Sequence, residues 1–322
     1  MTTINPTYKI LSTATTLLLF MLILLVSSCE EPFDPGISVD RDEIVVEAYI
    51  EWSEGGGIPT FAVISRSFPF TGLIDADFAS DVFIRDAMVS VSKGDEMVEL
   101  TKVCLEDIPE DFRDEVISSL GIDSVLVNIC LYVDVNGEIE AFPGEQYELE
   151  VIVDDARVTS TVVIPRPVPL DSLWATAVPD PDADTLAQLR LSLSDPPGPD
   201  FYRYFTSVNG GPFIPPVASV TDDALFDGQS FEVNILKAEP RGTDFDPETF
   251  GFFSRGDEVI LKWCTIERAQ FRFWETLEYN RNNQGPFTNY TLVESNIEGD
   301  DGLGVFGAQS CFYYEITIPE EL

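Results

Sequence analysis

The chain has 322 residues with 18 basic and 57 acidic side chains and no histidine, a formal charge of −39. That balance excludes nucleic-acid binding, which relies on Lys and Arg clusters that release counterions from phosphate. The missing imidazole excludes Ser-His-Asp and Cys-His nucleophiles and every zinc site built on histidine. Apolar residues at 44% and aromatics at 11% still require a packed core, which a disordered acidic tail would lack.

The chain opens with a short polar stretch carrying Lys9, then the unbroken apolar run Leu17–Val26, then Val26-Ser27-Ser28-Cys29, the order of a secretory signal. The run is ten residues long, short of the roughly 20 needed to span a bilayer, so cleavage of residues 1–28 is expected. The residues before Cys29 resemble the lipobox of bacterial lipoproteins, where small residues admit a dedicated peptidase and the cysteine thiol receives a diacylglycerol. The alternative is an ordinary signal peptide that ends near a cysteine. The lipobox resemblance implies lipid attachment at Cys29 through several acyl chains, because one chain at about 0.8 kcal/mol per buried methylene holds only marginally. Residues 29–40, opening Cys29-Glu30-Glu31-Pro32-Phe33-Asp34-Pro35-Gly36, have no hydrophobic periodicity and read as an extended tether. The acidic residues just behind Cys29 also resemble the surface-export signal of Bacteroidota lipoproteins. Cleavage removes Lys9 and no acidic residue, which leaves a mature charge of −40 and a body repelled by anionic lipid heads.

From Ile44 the alternation is that of half-buried strands: Ile44–Ile50, a turn at Gly55-Gly56-Gly57, then Phe61–Ile64. Further strands are expected at Met88–Ser92, Met97–Val103, Val125–Asp134, Gln146–Val153 and Arg157–Ile164, with tight turns at Asn136-Gly137 and Asp154-Asp155. Pro109–Leu120 reads as a helix, since it starts with Pro and acidic residues and stops at Gly121. Three prolines within 165–172 break the pattern, which places a boundary between a domain at 41–165 and another at 171–322. Beyond it, strands are expected at Leu189–Leu193, Phe201–Val208, Phe231–Leu236, Glu258–Ile266 and Phe312–Ile318. Glu267–Arg281 reads as a helix with Phe271, Trp274, Leu277 and Glu278 at helical spacings. The fold class is therefore all-β with few short helices: an immunoglobulin-like β-sandwich followed by a second sandwich or barrel-like domain.

With Cys29 assigned to lipid, Cys104, Cys130, Cys264 and Cys311 remain in an oxidising compartment, an even set that suggests two disulfides. Cys104 with Cys130 and Cys264 with Cys311 is the preferred connectivity, because each pair lies within one domain. Four buried free thiols are the alternative.

Phe142-Pro143-Gly144-Glu145-Gln146-Tyr147-Glu148-Leu149, continuing through Val162-Val163-Ile164-Pro165 to Pro169-Leu170-Asp171-Ser172-Leu173, resembles a segment of the Bacteroidota lipoproteins grouped as domain-of-unknown-function family 4249. Asp195-Pro196-Pro197-Gly198 before Phe201-Tyr202-Arg203-Tyr204, then Leu225-Phe226-Asp227-Gly228, Trp274-Glu275-Thr276-Leu277, and Ser295-Asn296-Ile297 before Gly302-Leu303-Gly304-Val305-Phe306, follow in the same order. The resemblance implies an outer-membrane lipoprotein of β-rich domains. It also implies a TonB-dependent outer-membrane transporter as partner, and it assigns no activity.

Gly302-x-Gly304-x-x-Gly307 matches the dinucleotide fingerprint as a pattern, but no helix follows to hold a pyrophosphate, so it reads as a glycine-rich turn with Val305 and Phe306 packing inward. Asp180-x-Asp182-x-Asp184 begins like a calcium loop, yet Thr185 and Leu191 stand where the EF-hand needs Gly and Glu; a looser site there or around Asp75, Asp77 and Asp81 stays open beside a solvated acidic loop. Asp123-Ser124-Val125, Asp171-Ser172-Leu173 and Asp184-Thr185-Leu186 resemble an O-glycan acceptor of exported proteins. Trp52, Phe68 and Phe70 read as core before ligand platform. No catalytic residue, metal site or cofactor is assigned, and the ligand-binding residues are not legible. The expected function is a non-enzymatic binding or accessory module, lipid-anchored at the outer membrane and working with a TonB-dependent transporter in nutrient uptake. The alternatives are a surface hydrolase using a carboxylate pair and a structural or adhesive envelope protein.

Overall fold

The computed structural model describes residues 43–67, 82–108, 129–180, 183–240, 246–283, 291–299 and 301–322. The helix expected at Pro109–Leu120 and the start of the strand expected at Val125 lie outside them. The described residues are all-β and sandwich-like, with one α-helix and no closed barrel.

The centre is an eight-stranded sheet. It is built around β1 (Ile44–Ser53), β2 (Phe61–Arg66), β5 (Thr101–Cys104), β6 (Cys130–Val133), β11 (Phe201–Val208), β12 (Val220–Asp222), β15 (Glu258–Ile266) and β17 (Gly302–Thr317), in the order β12-β11-β15-β17-β1-β2-β6-β5. A five-stranded sheet runs β16-β8-β7-β3-β4, from β3 (Met88–Lys93), β4 (Glu96–Glu99), β7 (Gln146–Val153), β8 (Ala156–Val163) and β16 (Glu298–Gly299). The third sheet centres on β10 (Leu186–Ser194), flanked by β9 (Ser172–Ala177), β13 (Ser230–Ile235) and β14 (Phe253–Ser254).

Side chains alternate across a strand, so the large sheet has two faces with different cover. Val46, Ala48, Ile50, Ile64 and Phe306 pack against Val89, Tyr147, Leu149 and Val151 of the five-stranded sheet. On the same face Tyr202, Leu261 and Trp263 pack against Leu189, Leu191 and Phe253 of the third sheet. The opposite face carries α1 (Arg268–Asn282), whose Phe271 and Trp274 are buried on it. Apolar cores thus lie on both sides of the proline run, but the strands do not separate there. β1, β2, β5 and β6 from before it share a sheet with β11, β12, β15 and β17 from after it, and Arg41–Leu322 is one compact unit.

The strand expected over Met97–Val103 is two strands. Leu100 is buried at a corner where its N–H donates to the Val89 carbonyl, and the chain passes from the five-stranded sheet (β4) into the large one (β5). The turn expected at Gly302–Gly307 is instead the first half of a 16-residue strand. The reason is close approach. β17 runs parallel to β1 from Ile44↔Gly302 to Ser53↔Cys311, and a Cβ on Gly304 (φ +117°) would sit 1.9 Å from the Val46 carbonyl oxygen. Val305 and Phe306 are both buried, on opposite faces. Asn296 clamps the strand from outside: its Nδ2 donates to the Phe306 carbonyl (2.8 Å) and its Oδ1 accepts the Phe306 N–H (2.9 Å).

Tyr147 ties the first core together in the manner of a tyrosine corner. Its hydroxyl donates to the Glu140 carbonyl (2.7 Å) and accepts the Phe142 N–H (3.0 Å).

Gly304→Ala is expected to lower unfolding free energy by more than about 2 kcal/mol, through backbone strain and loss of the β1–β17 register. Urea denaturation measures it, and a change under about 0.5 kcal/mol, the range of neutral surface changes, would contradict this packing.

Candidate functional site

The sheet face under α1 concentrates the polar side chains that an apolar core would not need. Glu51 on β1, Lys262 on β15 and Gln309 on β17 are each buried. Lys262 Nζ stands 2.6 Å from Glu51 Oε2, which also accepts Gln309 Nε2 at 2.7 Å; Tyr313 OH donates to Glu51 Oε1 at 2.7 Å. Gln309 Oε1 in turn accepts Gln270 Nε2 of α1 at 2.9 Å. The helix comes this close because β17 carries Gly307 beneath it, where a Cβ would meet Gln270 Cδ and Tyr49 Cδ1 at 2.8 Å. Burial, and then the neighbouring Glu51 carboxylate, hold the Tyr313 phenol protonated by raising its pKa.

Four residues along the helix from Gln270, the Trp274 ring lies 3.7 Å from the Arg203 guanidinium. Arg203 is buried and donates to Ser219 Oγ (3.1 Å). Ser219 is held in turn by Glu278, whose Oε2 accepts its N–H at 2.9 Å and whose Oε1 accepts its hydroxyl. Burial lowers the Arg203 pKa, and Tyr49, Glu278 and Glu47 oppose that shift. Beside this cluster a cleft of ≈ 320 Å³ opens between Ile214-Pro215-Pro216-Val217 and the outer half of α1, with Trp274, Glu278 and Arg281 on the helix side. It is at the small end of ligand sites and matches a side chain or a small organic group. A second cleft of ≈ 330 Å³ lies by Lys93, Glu96, Glu138 and Tyr147.

A third cluster is acidic. Carboxylate oxygens of Asp195, Asp223 and Asp227 lie within 4.8 Å of one another. Asp195 accepts the Tyr202 hydroxyl and the Gly228 N–H (3.0 Å), Asp227 accepts the Gly198 N–H (2.8 Å), and Asp223 accepts the Asp200 N–H (2.8 Å). Four of the six oxygens are thereby engaged in bracing two turns, whereas a calcium ion takes six to eight oxygen ligands. Burial raises the Asp223 pKa, opposed by the Asp200 N–H and reinforced by the neighbouring Asp195 and Asp227 carboxylates. Arg166, paired with Asp200 and donating to the Pro197 carbonyl (3.1 Å), completes the brace.

Cys29 lies outside the described residues. Cys104 is bonded to Cys130 and Cys264 to Cys311, each pair directly opposite in the register of adjacent strands. Phe68, Phe70, Asp75, Asp77, Asp81, Ser124 and Asp182 are likewise outside the described residues. Trp52 packs edge-on against Phe312 at 5.9 Å, and Ser172 Oγ is hydrogen-bonded to Ser192 Oγ at 2.6 Å. Glu51, Lys262, Arg203 and Glu278 carry no sequence motif as a set. For Glu51, Arg203 and Lys262 the sequence signal is charge at strand positions where the alternation calls for an apolar side chain, and for Glu278 it is helical spacing from Phe271 and Trp274 on α1.

With this geometry in hand, the motifs in common order have spatial meaning: Phe201-Tyr202-Arg203-Tyr204 meets Trp274-Glu275-Thr276-Leu277 through the Arg203–Trp274 stack. Asp195-Pro196-Pro197-Gly198 meets Leu225-Phe226-Asp227-Gly228 through the aspartates. A family model described as "Domain of unknown function (DUF4249)" matches residues 30–312. The chain belongs to that family. No curated protein matches this chain.

At the start of α1, Glu267 caps the helix without a side-chain hydrogen bond, and its buried Oε2 has no partner. Burial pushes its pKa up to about 7. The folded state then holds the proton more tightly than the unfolded chain, so stability present at low pH is lost as pH rises from the ordinary carboxylate range through about 7. Glu267→Gln is expected to raise the melting temperature by a few degrees at pH 8 and leave it nearly unchanged at pH 4, as read by circular dichroism. An equal shift at both pH values would contradict the assignment.

Proposed function

We propose that this protein is an outer-membrane lipoprotein, anchored through Cys29, that serves as a non-enzymatic binding or accessory module for a TonB-dependent transporter in nutrient uptake. The observation that carries the anchor is the order of an apolar run, two small residues and a cysteine at Leu17–Cys29, followed by a stretch without periodicity before β1. Several acyl chains make such an attachment stable where one would not. The transporter partnership is what the resemblance of the ordered motifs to Bacteroidota lipoproteins implies. The body suits a binding role. It is a β scaffold in which buried Lys262 is paired with Glu51 and buried Arg203 donates to Ser219, with small clefts at its surface. A mature charge of −40 favours fast encounter with a basic partner surface.

Labelling of cells with an alkyne fatty acid, followed by mild-detergent purification through a C-terminal tag, tests both parts. The wild-type protein should carry label and bring down a β-barrel transporter in stoichiometric amount, while Cys29→Ala should lose label and fractionate away from the membrane. Unlabelled wild-type protein would remove the anchor, and labelled protein recovered alone would remove the stable transporter complex.

A further inference from the structure

The Glu51–Lys262 pair differs from an ordinary surface ion pair in its burial and in what surrounds it. The Glu51 side chain is fully buried and that of Lys262 is 7% exposed. Lys262 Nζ lies 5.5 Å from the ring centroids of both Phe205 and Tyr313, and Phe213 packs edge-on against Tyr313 at 5.7 Å. Nζ is 2.6 Å from Oε2, so only one carbon–oxygen bond separates that contact from Glu51 Cδ. Two neutral donors converge on the same carboxyl, Tyr313 OH on Oε1 and Gln309 Nε2 on Oε2.

We propose that Lys262 and Glu51 condense to an intramolecular isopeptide bond. Transfer of one proton across the 2.6 Å contact from Nζ to Oε2, as the first part of the step, frees the amine lone pair for attack and gives Oε2 its first proton. Nζ then attacks Cδ. The oxygen that takes up negative charge is Oε1, and the Tyr313 hydroxyl is already placed to donate to it. Oε2 leaves as water, with the proton it received and a second one lost from Nζ as the carbon–nitrogen bond forms and the carbon–oxygen bond breaks. Two reactants held in contact need no encounter step, and exclusion of bulk water disfavours the reverse hydrolysis. No oxidant, reductant or co-reactant is required. The product would link β1 to β15 across the intervening β17, closing the chain between residues 51 and 262. Pull on the tether enters the sheet at β1, the strand so fastened.

Full-length protein purified from its native membrane, reduced, digested with trypsin and analysed by mass spectrometry decides the matter. The expected result is one branched peptide containing both Glu51 and Lys262, lighter than the two separate peptides by one water, with no cleavage after Lys262. Lys262→Met should release the Glu51 peptide at its unmodified mass. Separate, unmodified Glu51 and Lys262 peptides from the wild-type protein would overturn the proposal whether or not the variant folds. A branched peptide that has lost ammonia and joins Lys262 to Gln309 would overturn the assignment to Glu51.

Discussion

The parallel pairing of β1 with β17 is the constraint on which the remaining structure depends. It places the first described strand beside the last one, ten residues in register, in the middle of an eight-stranded sheet. Parallel strands need a long crossover, and here that crossover is the whole body of the protein from Glu54 to Asp301. Burial of β17 on both faces from Gly304 to Cys311 explains its near-continuous run of small and apolar residues. Only glycine at 304 lets the two backbones approach as they do.

Each neighbouring element solves a problem created by that pairing. One face of the large sheet is too wide for a single partner sheet, and two smaller sheets cover it side by side, each with its own apolar cluster. The other face receives one helix, whose contact is part aromatic and part polar. Glu51, Gln309 and Gln270 form a chain of hydrogen bonds from β1 through β17 to α1, so the helix is keyed to the register as well as to the apolar surface. Breaking one member of such a buried set would leave a charge or amide without its partner, a larger cost than the set contributes when intact. The acidic turns at Asp195 and Asp227 work the same way at the rim, where each carboxylate fixes the other turn's backbone.

What the sequence made legible followed from short-range periodicity. β11 and β15 fall on Phe201–Val208 and Glu258–Ile266 as the alternation indicates, and α1 falls within a residue or so of Glu267–Arg281. Elements whose form depends on distant neighbours were not legible. The glycines at 302, 304 and 307 suggest a turn until β1 and α1 are brought against them. The bend at Leu100 separates two strands that read as one, because both halves alternate. β9, at Ser172–Ala177, follows directly on the prolines that marked a break, and its pairing with β10 cannot be seen locally. The polar network is the extreme case: Glu51 and Gln309 are 258 residues apart. Nothing near Glu51 distinguishes it from the many solvated acidic residues of this chain. The Leu17–Cys29 motif is wholly local and needs no fold to be read.

Native-state hydrogen exchange resolved by peptide tests the central claim most directly, since it reports which strands open together. If β1 and β17 form the shared centre of the molecule, their amides are the slowest to exchange. They should then open only with global unfolding, together with β15, as one cooperative unit spanning both sides of the proline run. Exchange of the β1 amides by a separate, lower-energy opening, while β15 and β17 stay protected, would show two independently stable halves and contradict the account.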